Sequence, residues 1–142
     1  MTAQLYRITI KATPEAVWRA ITDPAWTTRY FHHAAITITP EHYDSVGPQG
    51  QVWGDAPVYE WDPPHRLVHG WGSLYDEDAA DEPESRVTWE IADQGDGTVL
   101  LTLTHDRLEH SPRTAERVSG AGWTGVISGL KTLLETGEPM RP

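Results

Sequence analysis

Residues 114–137 read Thr-Ala-Glu-Arg-Val-Ser-Gly-Ala-Gly-Trp-Thr-Gly-Val-Ile-Ser-Gly-Leu-Lys-Thr-Leu-Leu-Glu-Thr-Gly. At about 3.6 residues per turn, Trp123, Val126, Ile127, Leu130, Leu133 and Leu134 fall on one side, and Gly137 is placed to stop the helix. The stretch predicts one long amphipathic helix over about Thr114–Thr136, whose apolar side must be covered by what precedes it.

What precedes it alternates. From Ala34 to Asp106 the apolar period is two, broken by turn chemistry at Val46-Gly47-Pro48, Asp62-Pro63-Pro64 and Asp93-Gln94-Gly95-Asp96-Gly97. The clearest runs are Pro57–Trp61, Arg66–Gly72, Arg86–Ala92 and Thr98–His105, with connections short enough for antiparallel hairpins. Gln4–Ala12 reads as an opening strand carrying Leu5, Tyr6, Ile8 and Ile10. Thr13-Pro14-Glu15 then has a hydroxyl for the N-cap, proline for the first turn and an acid beside it, with Val17, Ala20 and Ile21 as the buried stripe. Asp23-Pro24 repeats the signature and predicts a second short helix through about Tyr30. The order implies an α+β fold: a curved antiparallel sheet wrapped around the C-terminal helix, with two short helices after the first strand. One helix does not fill the concavity of such a sheet, and the space left between them is the candidate site.

At 142 residues the chain is expected to form a single domain, 1–142. With 38% hydrophobic and 23% charged residues it is too apolar for a disordered chain. No apolar run approaches the roughly 20 residues of a bilayer span, so membrane insertion is not expected. Cys is absent, which removes thiolate nucleophiles, disulfides and Cys-based metal sites. The net charge of −10 argues against nucleic acid and anionic lipid as partners. Asp76, Glu77, Asp78, Asp81, Glu82 and Glu84 supply much of it, in one stretch read as a solvated, mobile connection between strands. The opening MTAQLYRITIKA shows no secretory leader, so the cytoplasm is the expected address. Seven Trp and five Tyr stand beside one Phe, so nearly every large ring carries a hydrogen-bonding group.

Four segments carry a resemblance: Ala12-Thr13-Pro14-Glu15-Ala16-Val17-Trp18 with Ile21-Thr22-Asp23-Pro24; Glu60-Trp61-Asp62-Pro63-Pro64-His65-Arg66-Leu67-Val68 running to Trp71; Leu101-Thr102-Leu103-Thr104-His105; and Gly122-Trp123 leading into Leu130-Lys131-Thr132-Leu133-Leu134-Glu135. In this order, over nearly the whole chain, they resemble the START-like (helix-grip, Bet v 1-like) superfamily, and within it the small bacterial proteins of the Hsp90-ATPase-activator-homologue family. The resemblance implies the helix-grip fold. Its implied functions are several, since members include hydrophobic-ligand binders, relatives of polyketide cyclases and a co-chaperone domain. The eukaryotic co-chaperone carries a second, N-terminal domain, whereas this sequence starts at the first strand, so Hsp90 is not the expected partner. A homodimer is compatible with the sequence.

Alternation assigns faces within the strands: Leu67, His69 and Trp71 share one, Val87, Trp89 and Ile91 another, Leu101, Leu103 and His105 a third. If these are concave, Trp71, Trp89, His69 and His105 look toward Trp123 and Val126 of the helix and wall an aromatic pocket. Ser119 offers a pocket hydroxyl unless it bonds the carbonyl one turn back. Tyr30 and Phe31 close the second short helix and are placed to gate the mouth. Tyr59 and Trp61 share a face whose direction stays open. Trp18 and Trp26, on the short helices, are explained by packing alone. Gly120-Ala121-Gly122-Trp123-Thr124-Gly125 matches G-x-G-x-x-G but has no strand before it and no βαβ unit around it, so no dinucleotide is expected. Gly122, Gly125 and Gly129 instead line one edge of the helix, for close packing or for a ligand.

Neither cofactor nor metal is expected: His32-His33, His65/His69 and His105/His110 lack ligand spacing for zinc. No Gly-x-Ser-x-Gly elbow is present. The leading expectation is binding of a hydrophobic, aromatic, polyketide- or lipid-like small molecule. One alternative is a cyclase- or hydratase-like enzyme using His105, His69 or Glu60 as acid and base. The other is a co-chaperone or regulator-interaction module acting through its outer surface around a solid core.

Overall fold

The computed structural model describes residues 3–119 and 121–141. Strand β1 (Gln4–Ile10) is followed by helices α1 (Pro14–Thr22) and α2 (Pro24–Thr27), then by β2 (Ala35–Ile38), β3 (His42–Val46), β4 (Val52–Asp62), β5 (Arg66–Trp71), β6 (Ser85–Asp93) and β7 (Val99–Asp106), and finally by α3 (Pro112–Val118) and α4 (Ala121–Thr136). The strands form one seven-stranded sheet in the order β1-β7-β6-β5-β4-β3-β2, antiparallel at every paired ladder. This is the α+β helix-grip architecture.

Local chemistry accounts for the elements. The Thr13 hydroxyl accepts from Ala16 N at 3.1 Å and caps α1, with Pro14 in its first turn. Asp23 ends α1, its N–H donating to Arg19 O, and starts α2, its carboxylate accepting from Ala25 N at 2.9 Å. That double use of one residue sets the elbow between the two helices. The three strand faces read from alternation are all inside: Leu67, His69, Trp71, Val87, Trp89, Ile91, Leu101, Leu103 and His105 are buried. They meet Trp123, Val126, Ile127 and Leu130 of α4 in one core.

Several expectations change. The helix over Thr114–Thr136 is two helices, broken where Ser119 adopts extended backbone at φ −73° and ψ 167°. Ser119 Oγ donates to Glu116 O at 2.8 Å and finishes α3. Ser119, whose hydroxyl competes for backbone groups, and Gly122, early in α4, both weaken helix here, and the apolar periodicity of α4 is undisturbed. Gly120, first residue of the G-x-G-x-x-G match, lies outside the described residues. Helix α2 ends at Thr27, and Thr28–Tyr30 continue as turns. Strand β4 begins at Val52 rather than Pro57, and a bulge between Val58 and Glu60 separates the directions of Tyr59 and Trp61. Trp61 pairs with inward Leu67 and packs edge-on against Trp18 at 5.0 Å, whereas Tyr59 is exposed and donates to Glu84 at 2.6 Å.

The acidic connection is anchored. The Glu82 carboxylate accepts from Arg113 N at 2.9 Å, Thr114 N at 2.8 Å and Thr114 Oγ1 at 2.9 Å, thereby capping α3. Asp76 pairs with Arg117, and Ser111 Oγ donates to Pro83 O at 2.7 Å. At least two of its acids are therefore structural rather than merely solvated.

Candidate functional site

Between the outer part of the sheet and the start of α4 lies an apolar cavity of about 350 Å³. Its walls come from four places: Phe31, His32 and Ala34 after α2; Tyr43, Ser45, Trp53 and Trp71 on β3–β5; Tyr75 on the acidic connection; and Arg117, Val118, Gly122, Trp123 and Val126 on α3 and α4. The rings interlock. Trp71 and Trp123 lie 5.2 Å apart between centroids, and Phe31 meets Trp123 edge-on at 5.9 Å. A space of this size among aromatic walls suits a small apolar ligand.

Behind this wall is a second layer that the cavity does not reach. Trp123 Nε1 donates to His105 Nδ1 at 3.0 Å, and His105 Nε2 meets Ser85 Oγ at 2.7 Å. Trp89 Nε1 donates to His69 Nε2 at 3.1 Å, while His69 Nδ1 meets the Gly70 carbonyl at 2.7 Å. A neutral imidazole has one lone pair to accept with, so each indole donor assigns the tautomer: His105 carries its proton on Nε2 and His69 on Nδ1. Burial disfavours charge and pushes both imidazoles down, His69 to about 4 and His105 to about 3, with mutual repulsion adding to the second. Tyr43 stacks on His69 at 4.3 Å and seals it from the cavity.

Of the residues singled out from sequence, Trp71, Trp123, Phe31 and Val126 line the cavity. Trp89, His69 and His105 stand behind it as buried scaffolding: Trp89 bonds His69, whose other nitrogen meets the Gly70 carbonyl, and His105 is held by Trp123 and Ser85. Ser119 is corrected: it is exposed and its hydroxyl is used within α3. Tyr30 is corrected too, since its phenol donates to Ala20 O at 2.8 Å, pinning the ring to α1 instead of leaving it free to gate. The glycine row divides. Gly122 lines the cavity, Gly129 lets Tyr30 approach α4, and Gly125 borders a separate depression with Arg29, His33 and Arg141. Glu60 points outward to Arg66 Nε at 2.6 Å and is no inward acid.

Tyr43, Ser45, Trp53, Ala34, Tyr75 and Arg117 were missed. Tyr43 and Ser45 alternate on β3 and could have been found by the period that located β5–β7. Tyr75 and Arg117 come inward only because Glu82 and Asp76 tie the acidic connection to α3, which no local pattern announces. Also unforeseen is an exposed trio on β3–β4, where His42 Nδ1 meets Asp44 at 3.0 Å and His42 Nε2 meets Asp55 at 2.7 Å. Both ring nitrogens are engaged by carboxylates, and the hydrogen bond to Asp44 leads in raising the imidazole's pKa.

A search of curated proteins finds no match. Among solved structures, protein MLL2253 from Mesorhizobium loti superposes with a TM-score of 0.75 at 22% identity, over 94% of this chain and 96% of that one. DynU16, a protein in the dynemicin biosynthetic locus, superposes at 0.76 and 24% identity over 100% of this chain, which spans 50% of its length. The Aha1 dimer from Colwellia psychrerythraea gives 0.73 at 17% identity, over 96% and 98%. At these identities the likeness is one of fold. The family model described as Activator of Hsp90 ATPase homolog 1-like protein matches residues 11–135, from the capping turn of α1 to the end of α4, and the chain belongs to that family.

Proposed function

We propose that this protein binds a hydrophobic, aromatic small molecule, polyketide- or lipid-like, in the cavity between the sheet and α4, without transforming it. In this reading the chain acts as one domain in the cytoplasm. The observation that carries the reading is the cavity itself: about 350 Å³ walled by Phe31, Tyr43, Trp53, Trp71, Trp123 and Val126. Burying a ring there removes apolar area from water at roughly 25 cal/mol per Å². The cavity weighs against the reading of an interaction module built around a solid core.

The cyclase- or hydratase-like alternative loses its acid–base candidates. Each buried imidazole uses its lone pair on an indole N–H, and protonating it would set N–H against N–H. A general base must have its lone pair free within reach of substrate. The occurrence of a similar fold in a biosynthetic locus supports a small-molecule role, and the dimeric Colwellia relative supports a homodimer, which light scattering measures.

The test is titration of tryptophan emission with flavonoids, anthraquinones and long-chain fatty acids. Saturable quenching or a spectral shift is expected for the ring compounds, and Ala34→Phe, which fills the cavity, should weaken it about tenfold or more. A folded protein silent across the whole panel overturns the reading. A ligand recovered intact after long incubation separates binding from turnover.

A further inference from the structure

Three indoles meet at the aromatic end of the core, and their N–H groups fare differently. Trp89 and Trp123 donate to His69 and His105. Trp71 Nε1 donates to nothing; among the described residues it is the one buried side-chain nitrogen or oxygen without a hydrogen-bond partner. Trp71 is only 7% exposed, so bulk water does not serve it. A buried unpaired donor is destabilising by far more than a surface one, and native proteins keep few.

No group in the surrounding fold closes the gap. His105, 5.7 Å away between rings, has both nitrogens engaged, by Trp123 and Ser85. Phe31 and Trp123 offer no acceptor, and Tyr43 lies stacked on His69. Ser85 Oγ bonds the Trp71 carbonyl and not its indole. Tyr75 stands edge-on to Trp71 at 6.5 Å, and its phenol oxygen is the one acceptor near the indole; it lies close enough for the indole N–H to lower the phenol's pKa, as a donor does, but its geometry falls short of a hydrogen bond to Nε1. Among these neighbouring rings Tyr75 alone reaches the surface, at 40% exposed. The indole ring and Tyr75 both line the cavity, and the exposed Tyr75 is the neighbour an arriving acceptor would replace beside the indole N–H.

Resting on the reading of the cavity as a ligand site, we infer that its occupant is a neutral polycyclic ketone or quinone whose carbonyl oxygen accepts a hydrogen bond from Trp71 Nε1–H. Neutral, because of the two basic residues lining the cavity Arg117 is already paired with Asp76 and His32 is pushed toward its uncharged form by burial, so an anion among these rings would lack a counter-charge. Polycyclic, because the walls are flat rings in edge-on and tilted contact, which offer both faces and edges to a flat guest. A carbonyl, because the missing partner of an N–H is an acceptor, and a keto oxygen supplies one without bringing a donor of its own.

The test compares two planar three-ring probes, anthraquinone and anthracene, by calorimetry on the full chain. Anthraquinone should bind roughly five- to tenfold tighter, the size of one buried hydrogen bond. Trp71→Phe, which removes the N–H, should bring the ratio to about one. In the amide and indole spectrum of the native protein, one of the seven indole N–H signals should move downfield with anthraquinone and stay in place with anthracene. That measurement decides the matter even if Trp71→Phe does not fold. Equal affinities, with no selective shift, overturn the anchor while leaving the cavity as a binding site. If neither probe nor any other ring compound binds, both readings fall together.

Discussion

The two ends of α4 cover the same sheet with different materials. At its C-terminal end, Leu130 and Leu133 pack in the aliphatic part of the core with Ile10 and Val17, all at 0–1% exposure. Polar groups there are peripheral ties: Lys131 Nζ donates to Thr9 O at 2.6 Å, and Lys11 N to Glu135 at 2.8 Å. At its N-terminal end the helix presents Trp123 and Val126 to rings, two buried histidines and a cavity. Aliphatic chains have many rotamers and fill space; large rigid rings joined by directional hydrogen bonds hold their distance. Burial alone does not distinguish the ends, since both are nearly dry. What distinguishes them is that one is held by packing and the other by a polar network that stays put around empty volume.

Acid should damage the polar end first. The folded values of His69 and His105, about 4 and about 3, lie below the ordinary 6.5. Well above pH 6.5 neither state is protonated, and these residues add no pH slope. As pH falls, the unfolded chain takes up protons that the folded one refuses, so stability declines from 6.5 until the folded values are reached. At pH 5 the loss is about 2 kcal/mol for each histidine, about 4 together. His42 works in the opposite sense: its raised value gives stability that is full below 6.5 and lost as pH rises through the folded value. Its side chain is 40% exposed, so its share is small, and His42→Gln should steepen the acid decline. Urea unfolding at pH 7.5 and pH 5 measures the effect. A flat profile over that window would mean that the imidazoles titrate normally, and the account of the network would fail.

Much of this contrast could be read from residue order, though unevenly. Alternation along β5, β6 and β7 placed Trp71, Trp89, His69 and His105 inside, because period two leaves no choice of face once one strand is oriented. It could not tell wall from backing, since that depends on Tyr43 covering His69 from another strand. Hydrogen-bond pairing between indole and imidazole is likewise a property of two strands and a helix, not of any one segment. The break at Ser119 was hidden because apolar periodicity resumes in phase at Trp123, and the Tyr59/Trp61 ambiguity because a bulge breaks alternation. Tyr75 and Arg117 reach the cavity through the anchoring of an acidic segment that composition alone makes look solvated.

Leu130→Ala should attack the other end. Leu130 is fully buried, and truncation in a packed aliphatic region costs about 2–4 kcal/mol in unfolding free energy. Ligand affinity of the remaining folded protein should change less than about twofold, because the cavity walls are elsewhere. A large loss of affinity with this variant would show that the ends are not independent, as their separate materials require.

The smallest expected effect is the sharpest comparison, because it makes one chemical change in both places. Val17→Leu and Val126→Leu each add one methylene to a buried helical valine and relieve β-branching in a helix, so backbone propensity contributes equally to both. Val17 is fully enclosed, and an added carbon must displace neighbours, costing about 1–2 kcal/mol. Val126 borders the cavity, so the same carbon can turn into open volume, and its unfolding free energy should stay within about 0.5 kcal/mol of the parent or rise. The sign of the difference between the two variants is thus set by whether the space beside Val126 persists in solution. Equal destabilisation at both sites would mean that the aromatic end closes up when unliganded, and the rings would then be filling their space instead of lining it.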